Sequence, residues 1–377
     1  MSPPPLTGIK VVELARILAG PWAGQTLADL GAEVIKVESP EGDDTRIWGP
    51  PFVTNPDGSR DAAYYHACNR GKRLVVADFR NADDLAKVRA LIADADIVIE
   101  NFKVGGLAKF GLDYASLAAE HPRLVYCSIT GFGQDGPYAH RAGYDYIIQG
   151  LSGFMSITGE PDGAPQKAGV AIADIFTGVY AVVAIQAALI QRAATGRGQQ
   201  IDMALLDTMT GVLANQALNY FVSGESPHRV GNAHMNVSPY AVFPCRDGWF
   251  ILAVGNDGQY QRFCTALGLS ELGADPRYTA NEGRIEHREP LFAAIREATA
   301  KHPRAWLLAT LEAAGVPAGP INTIEQAFAD PQVQHRGMAL KLDRNGQPLP
   351  GLRTPIRFSD APLALDRAAP MLGADDD

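Results

Sequence analysis

The stretch AIADIFTGVYAVVAIQAALIQRA (171–193) is apolar almost throughout, yet carries one carboxylate, Asp174, near its start. Two chemistries suit that position. As a helix N-cap, an aspartate satisfies free backbone N–H groups and contributes about 0.5–2 kcal/mol. As a reactive group, it sits where the helix dipole favours its anion, while burial among Ile172, Ile175 and Phe176 pulls the other way. A partly desolvated carboxylate facing a cleft can attack an activated acyl carbon. One residue could do both. Asp202 and Asp207 stand in polar or strand contexts and read as turn or surface residues.

Other chemistry-bearing patterns lead nowhere comparable. GFGQDG (131–136) matches the glycine pattern of dinucleotide sites, but Pro137 and YAHRAG follow it. No helix pattern opens before about Asp145, as that motif requires. The eight histidines are scattered, and the nearest pair, His228 and His234, lacks metal-ligand spacing, so no metal site is expected. The chain has neither a G-x-S-x-G nucleophile elbow nor a phosphate-binding P-loop sequence.

The elements that must position Asp174 come from the first two thirds of the chain. Ile9–Ala15, Ala32–Glu38, Arg73–Phe79, Asp96–Phe102 and Leu124–Thr130 read as buried strands. Helix patterns run between them: Pro21–Leu30, stopped by Gly31, and 81–95, with Leu85, Val88, Leu91 and Ile92 on one face. Strands alternating with helices predict an α/β fold with a doubly wound, mostly parallel sheet. Ligands then bind beyond the carboxyl ends of the strands. That singles out the loops Arg16–Gly20, Ser39–Trp48, Asn101–Gly106 and Gly131–Gly143. The segment Ser39–Arg70, rich in Gly, Pro and Asp, is expected to be irregular and covered by a partner or functional. GRGQQIDMALLDTMTGVLANQALNYFVSG reads as a strand and a second apolar helix. From Ser226 to about Ala318 a smaller α+β unit follows, with a strand in WFILAVG and helices in YQRFCTALGL and RAWLLATLEAAG. The tail holds a short helix, TIEQAFAD, and strand-like MALKLD and PIRFS.

With 377 residues, about two domains are expected. A net charge of −9 without a basic run argues against nucleic-acid binding. The apolar run carries Asp174 and Gln186 and has no companion span, so a buried core helix is expected rather than a membrane span. Cys68, Cys127, Cys245 and Cys264 form no CxxC and read as buried free thiols of a reducing compartment. MSPPPLTGIK lacks the charged and apolar regions of a signal peptide, which makes the cytoplasm the expected location.

Over nearly its whole length the chain resembles the family III CoA-transferases, the CaiB/BaiF group. The matching blocks include GIKVVELARILAGPWAGQTLADLGAEVIKVE, NRGKRLVVAD, VIENF, SITGFGQDGPY, GYDYIIQGLSGFMSITG, AIADIFTGVYA, TGRGQQIDMALLD, GNAHMNVSPYAVFPCRDGWFILAVGND and GVPAGPI. The resemblance implies a Rossmann-like, CoA-binding large domain built from 1–224 and 320–377. A small α+β domain at 225–319 and an interlocked homodimer are implied with it. It puts the family's catalytic aspartate on Asp174, which would pass CoA between an acyl-CoA and a carboxylic acid through a mixed anhydride and an aspartyl-CoA thioester. Coenzyme A is then a substrate, and no permanently bound cofactor is expected. Family CoA contacts fall on Ile17, Ala19, Ala77, Arg80, Asn101, Phe102 and Lys109, and acyl-pocket residues on Trp48 and Tyr144. Leu18 stands where formyl-transferring members carry Gln, and Ser39 where they carry a basic residue. Gly255–Gln259 stands in place of their glycine run. Formyl or oxalyl chemistry is therefore not implied; succinyl-CoA and a short dicarboxylic or hydroxy acid are the analogous pair. The alternative is the related α-methylacyl-CoA racemases, whose proton abstraction needs two bases flanking the α-carbon. Those enzymes place a His where this chain has Tyr144, and a phenol with a reference pKa near 10 is a poor base at neutral pH.

Overall fold

The computed structural model describes residues 2–374. Six parallel strands form the main sheet: β1 (Lys10–Glu13), β2 (Glu33–Glu38), β3 (Arg73–Val76), β4 (Ile97–Glu100), β5 (Val125–Thr130) and β6 (Gln200–Ala204). Their spatial order is β3-β2-β1-β4-β5-β6, with Val12 opposite Ile35 on one side and Val98 on the other. This is the doubly wound order, and the chain reverses direction across the sheet between β1 and β4.

Side chains alternate between the sheet's faces. Val11, Ile97, Ile99, Val125 and Cys127 face one core, shared with helix α1 (Ala19–Asp29) and the long helix α4 (Ile172–Thr195). Val12, Val98 and Tyr126 face the other, filled by Val88 and Ile92 of α2 (Ala82–Ala93). Helix α3 (Asp145–Leu151) precedes α4, and α5 (Leu205–Gly211) and α6 (Asn215–Ser223) follow β6. The single helix expected after β6 is thus two, broken at Ala214, whose φ of 46° no helix accommodates.

Helix α4 is long and apolar enough to cross a bilayer by length and composition. The sequence predicts a buried core helix, but only one face of it is buried. Ala173, Thr177, Gly178, Ala181, Ile185 and Ala188 lie inside, while Val179, Tyr180, Val183 and Ile190 are exposed. Small residues on the inner face let α4 lie close to α1: a Cβ on Gly178 would come 2.7 Å from the Ala19 carbonyl oxygen.

Three local readings are corrected. Ser39–Arg70 is not irregular throughout: it holds a one-turn helix (Asp44–Arg46), a hairpin (Phe52–Thr54 with Arg60–Ala62) and a helix (Ala63–Cys68). Three-residue strands are too short to show a period of two. PIRFS forms no strand; Gln347–Leu352 pairs with Ala339–Arg344 instead. Pro348 and Pro350 argue against a strand in sequence, but a two-stranded hairpin has only edges, where proline is tolerated. The capping arrangement at α4 also differs, as described below.

Contacts divide the chain into two compact units: residues up to Phe154 with Lys167–Glu225 and Pro331 onward, and Met155–Gln166 with Ser226–Asp330. The second has its own three-stranded antiparallel sheet, Ala318–Pro320, Gly248–Ala253 and Tyr240–Cys245. Phe243, Phe250, Phe263, Leu291 and Leu311 pack its core.

Candidate active site

A cavity of about 180 Å³ opens where the sheet order reverses. Its walls are the segments after β1 (Arg16–Ala19) and β4 (Asn101–Val104), the end of β5 with Gly131, Ala139, Arg141–Asp145, Asp174 and Leu205.

Asp174 is not the cap of its helix. Ala171 holds the N-cap position and offers no side-chain bond, so Asp174 lies in the first turn. The cap comes from Asp145, at the start of α3. Its Oδ1 accepts the N–H groups of Ala173 (2.8 Å) and Asp174 (3.4 Å), and its Oδ2 accepts from the Gln149 amide (2.7 Å). Among the described residues, the half-buried Asp174 carboxylate then has neither a hydrogen bond nor a cation. Burial and, second, the like charge of Asp145 push its pKa up to about 7.

Facing it is the β1–α1 turn. Ile17 adopts φ 70°, an outlier for a β-branched residue that persists only when its surroundings over-determine it. They do. The Asn101 amide brackets the Arg16 backbone, accepting its N–H (2.9 Å) and donating to its carbonyl (2.7 Å). The Ile17 N–H donates to Asp43 (3.1 Å to Oδ2). Asp43 belongs to a buried ion network: Lys36 bridges it (2.9 Å) to Glu13 (3.2 Å), and Glu13 also holds Lys72 (2.8 Å). Burial alone would raise the Asp43 carboxyl, but Lys36 and the Thr45 N–H hold it below its ordinary value. Burial would likewise depress Lys36; its carboxylate neighbours reverse that and raise it. Past the turn, α1 begins without a side-chain cap or an acidic first-turn residue. The backbone N–H groups of Leu18, Ala19 and Gly20 have no partner among the described residues, and Leu18 and Ala19 line the cavity.

Of the residues expected at the site, the structure brings Ile17, Ala19, Asn101, Phe102, Tyr144 and Asp174 to one cavity. Ala77, Arg80 and Lys109 lie outside its lining. Ala77 is buried behind β3, its N–H on the Glu38 carbonyl. Arg80 is exposed and forked onto Asp78 (2.9 Å). Lys109 lies over the Phe110 ring. These loops meet Phe102 through rings: Phe79 stacks on Phe102 (6.1 Å) and sets its edge against Phe110 (5.5 Å). Trp48 is also off the lining. It packs edge-on against Tyr64 (5.4 Å), whose hydroxyl is pushed up to about 12, by burial first and by the Asp174 charge second.

Sequence reasoning missed Asp145, Asp43 and the Lys36–Glu13–Lys72 group. The available signal was charge inside apolar strands, Glu13 in IKVVELA and Lys36 in AEVIKVE, because a buried charge has to be paired.

The family profile for CoA-transferase family III matches residues 6–376. The chain is 61% identical over 373 residues to a succinate–glutarate CoA-transferase of Agrobacterium fabrum, covering 98% of this chain and 93% of that protein. It is 39% identical over 371 residues to the human succinyl-CoA:glutarate CoA-transferase, covering 98% and 84%. A crystal structure of a CaiB/BaiF family protein from Brucella suis superposes with a TM-score of 0.89 at 61% identity, covering 100% of this chain and 97% of that one. The cavity at the sheet's reversal point thus sits in a chain that belongs to CoA-transferase family III, the CaiB/BaiF group, and moves CoA between an acyl-CoA and a carboxylate.

Proposed function

We propose that Asp174 is the nucleophile of this exchange. The carrying observation is its unpaired, half-buried carboxylate, raised to about 7, opposite the uncapped start of α1. An Asp174 oxygen attacks the thioester carbonyl of the donor; the C–S bond breaks, and the CoA thiolate leaves behind an acyl-aspartyl anhydride. The thiolate attacks the aspartyl carbonyl, releasing the donor's acid and forming an aspartyl-CoA thioester. The acceptor carboxylate attacks that thioester and expels the thiolate again. The thiolate then takes the acceptor's acyl carbon and frees Asp174. Each attack creates an oxyanion, and the free N–H groups of Leu18, Ala19 and Gly20 suit it. A carboxylate more basic than an ordinary acid is also the stronger nucleophile once ionised.

In this reading Ile17, Ala19, Asn101 and Phe102 contact the inner part of CoA, and Ala77, Arg80 and Lys109 its outer part. Trp48 and Tyr144 border the acyl group. The substrates are short dicarboxylic acids and their CoA thioesters, succinate and glutarate foremost, a choice supported by the names of the relatives. The enzyme acts in the cytoplasm as an interlocked homodimer. Free buried cysteines support the first point. The exposed apolar faces of α4 and α6, with Leu218, Phe221 and Val222, support a second copy covering them.

Asp174→Ala should abolish CoA exchange between succinyl-CoA and labelled glutarate. Hydroxylamine added during turnover should trap a hydroxamate on the peptide that contains Asp174. Full exchange by the Ala variant, or a hydroxamate on another residue, refutes the assignment. Deuterium entering the α-carbon without CoA exchange would favour the racemase chemistry instead.

A further inference from the structure

We propose that Arg141 grips the far carboxylate of a dicarboxylic acyl group and so selects diacids over monoacids; this rests on Asp174 being the group acylated. Three cations line the cavity: Arg16, Lys103 and Arg141. Arg16 is already held by Asp44 (3.0 Å). Lys103 also lines a second, smaller cavity beside Glu100. Arg141 lies three residues before Tyr144 and four before Asp145, on the stretch that runs past Asp174 in the lining.

The setting of Arg141 is built. It sits in the loop after GFGQDG, where no helix opens before Asp145. The neck of the loop is pinched shut: a Cβ on Gly131 would come 2.4 Å from the Gly143 Cα. The Gly133 N–H donates to Thr130 Oγ1 (2.9 Å) and the Gln134 N–H to Asp202 Oδ2 (2.9 Å). Inside the loop Phe132 meets Tyr138 edge to face (5.6 Å), and the Arg141 guanidinium lies over the Tyr138 ring (3.9 Å). A guanidinium seated over a ring face keeps its edge N–H groups free for another partner, and Arg141 is otherwise exposed. No carboxylate among the described residues takes them. A planar fork with free donors matches a carboxylate bidentately. Asp174 meanwhile needs the thioester carbonyl, at the other end of the same acyl chain.

The test uses the full-length enzyme with hydroxylamine as the trap, so that only acylation of Asp174 is read. CoA release is measured from succinyl-CoA and from butyryl-CoA, matched in chain length, as kcat/KM. The wild type should prefer the succinyl donor. Arg141→Gln should lower the succinyl-to-butyryl ratio about 10–100-fold, chiefly through KM, which is the loss expected for one charge-assisted contact. Arg141→Lys, with charge but no fork, should fall between. An unchanged ratio in Arg141→Gln overturns the assignment, whether both rates persist or both fall together, because loop damage alone does not distinguish donors. A wild type that prefers butyryl-CoA overturns it too. If the wild type releases CoA from neither donor, the reading of Asp174 fails first and takes this assignment with it.

Discussion

Asp145 caps the helix that carries Asp174 and, by the same placement, opposes its ionisation. One carboxylate satisfies the N–H groups of Ala173 and Asp174, and its charge adds to burial in raising Asp174 to about 7. With Asp174 as the proposed nucleophile, acylation should therefore rise with pH through about 7, as that carboxyl loses its proton. Asp145→Asn keeps an acceptor for the cap and removes the charge, at the expense of the Gln149 contact. The midpoint of the pH–rate profile, read in single turnovers, should move to lower pH. The move should be partial, because burial is the larger cause. A midpoint that stays in place or rises would show that Asp145 acts on Asp174 only as a cap.

The same shift predicts how stability depends on pH. Asp174 binds its proton more tightly folded, at about 7, than unfolded, near 3.8. Below the unfolded value both states are protonated and the group contributes nothing. As pH rises from about 4 to 7, the unfolded chain releases its proton first, and the folded state loses stability relative to it. Asp174→Asn removes that penalty. The variant should melt higher than wild type at pH 8 and close to it at pH 4, in thermal scans across that range. A Tm difference independent of pH would place the effect in packing rather than in charge.

The parallel sheet and the place of Asp174 were legible in the sequence, because both depend on local pattern: β-branched runs for the strands, an apolar helix start for the aspartate. Strand ends were less so. Apolar residues continue past Glu13, but the strand ends there, four residues before the chain turns at Ile17 to face the cavity. What decides the behaviour of Asp174 was not legible, since Asp145 lies 29 residues away and no local spacing joins the two. The same holds for Asp43, which steadies Ile17 from 26 residues on. Trp48 and Arg80 show the converse: resemblance could name them, but not that one leans on Tyr64 and the other on Asp78.

The buried network should make the β1–α1 turn sensitive to a residue that never meets substrate. Asp43→Asn leaves Lys36 with Glu13, which already holds Lys72, and weakens the anchor of the Ile17 N–H. Breaking a buried pair by removing one partner costs about 3–5 kcal/mol. Urea unfolding should report a loss of that order, with a raised KM for the acyl-CoA at temperatures where the variant stays folded. A loss below about 1 kcal/mol would mean that water reaches Lys36.

Gly178 sets the distance between the helix of Asp174 and the β1–α1 turn. It is four residues after Asp174, on the face of α4 that meets α1. Replacing Gly by Ala inside a helix ordinarily stabilises by up to about 1 kcal/mol. Here the new Cβ would lie 2.7 Å from the Ala19 carbonyl oxygen and 3.1 Å from Trp22 side-chain atoms, and the backbone oxygen can yield only if the helices part. Overpacking of this kind costs about 1–3 kcal/mol, so steric cost should outweigh propensity. Parting α4 from α1 also moves Asp174 away from the N–H groups of Leu18 and Ala19. Gly178→Ala should therefore lower both Tm and kcat, with kcat falling further than the melting change accounts for. A variant with raised Tm and intact kcat would show that α1 and α4 are not in contact as closely as this packing requires.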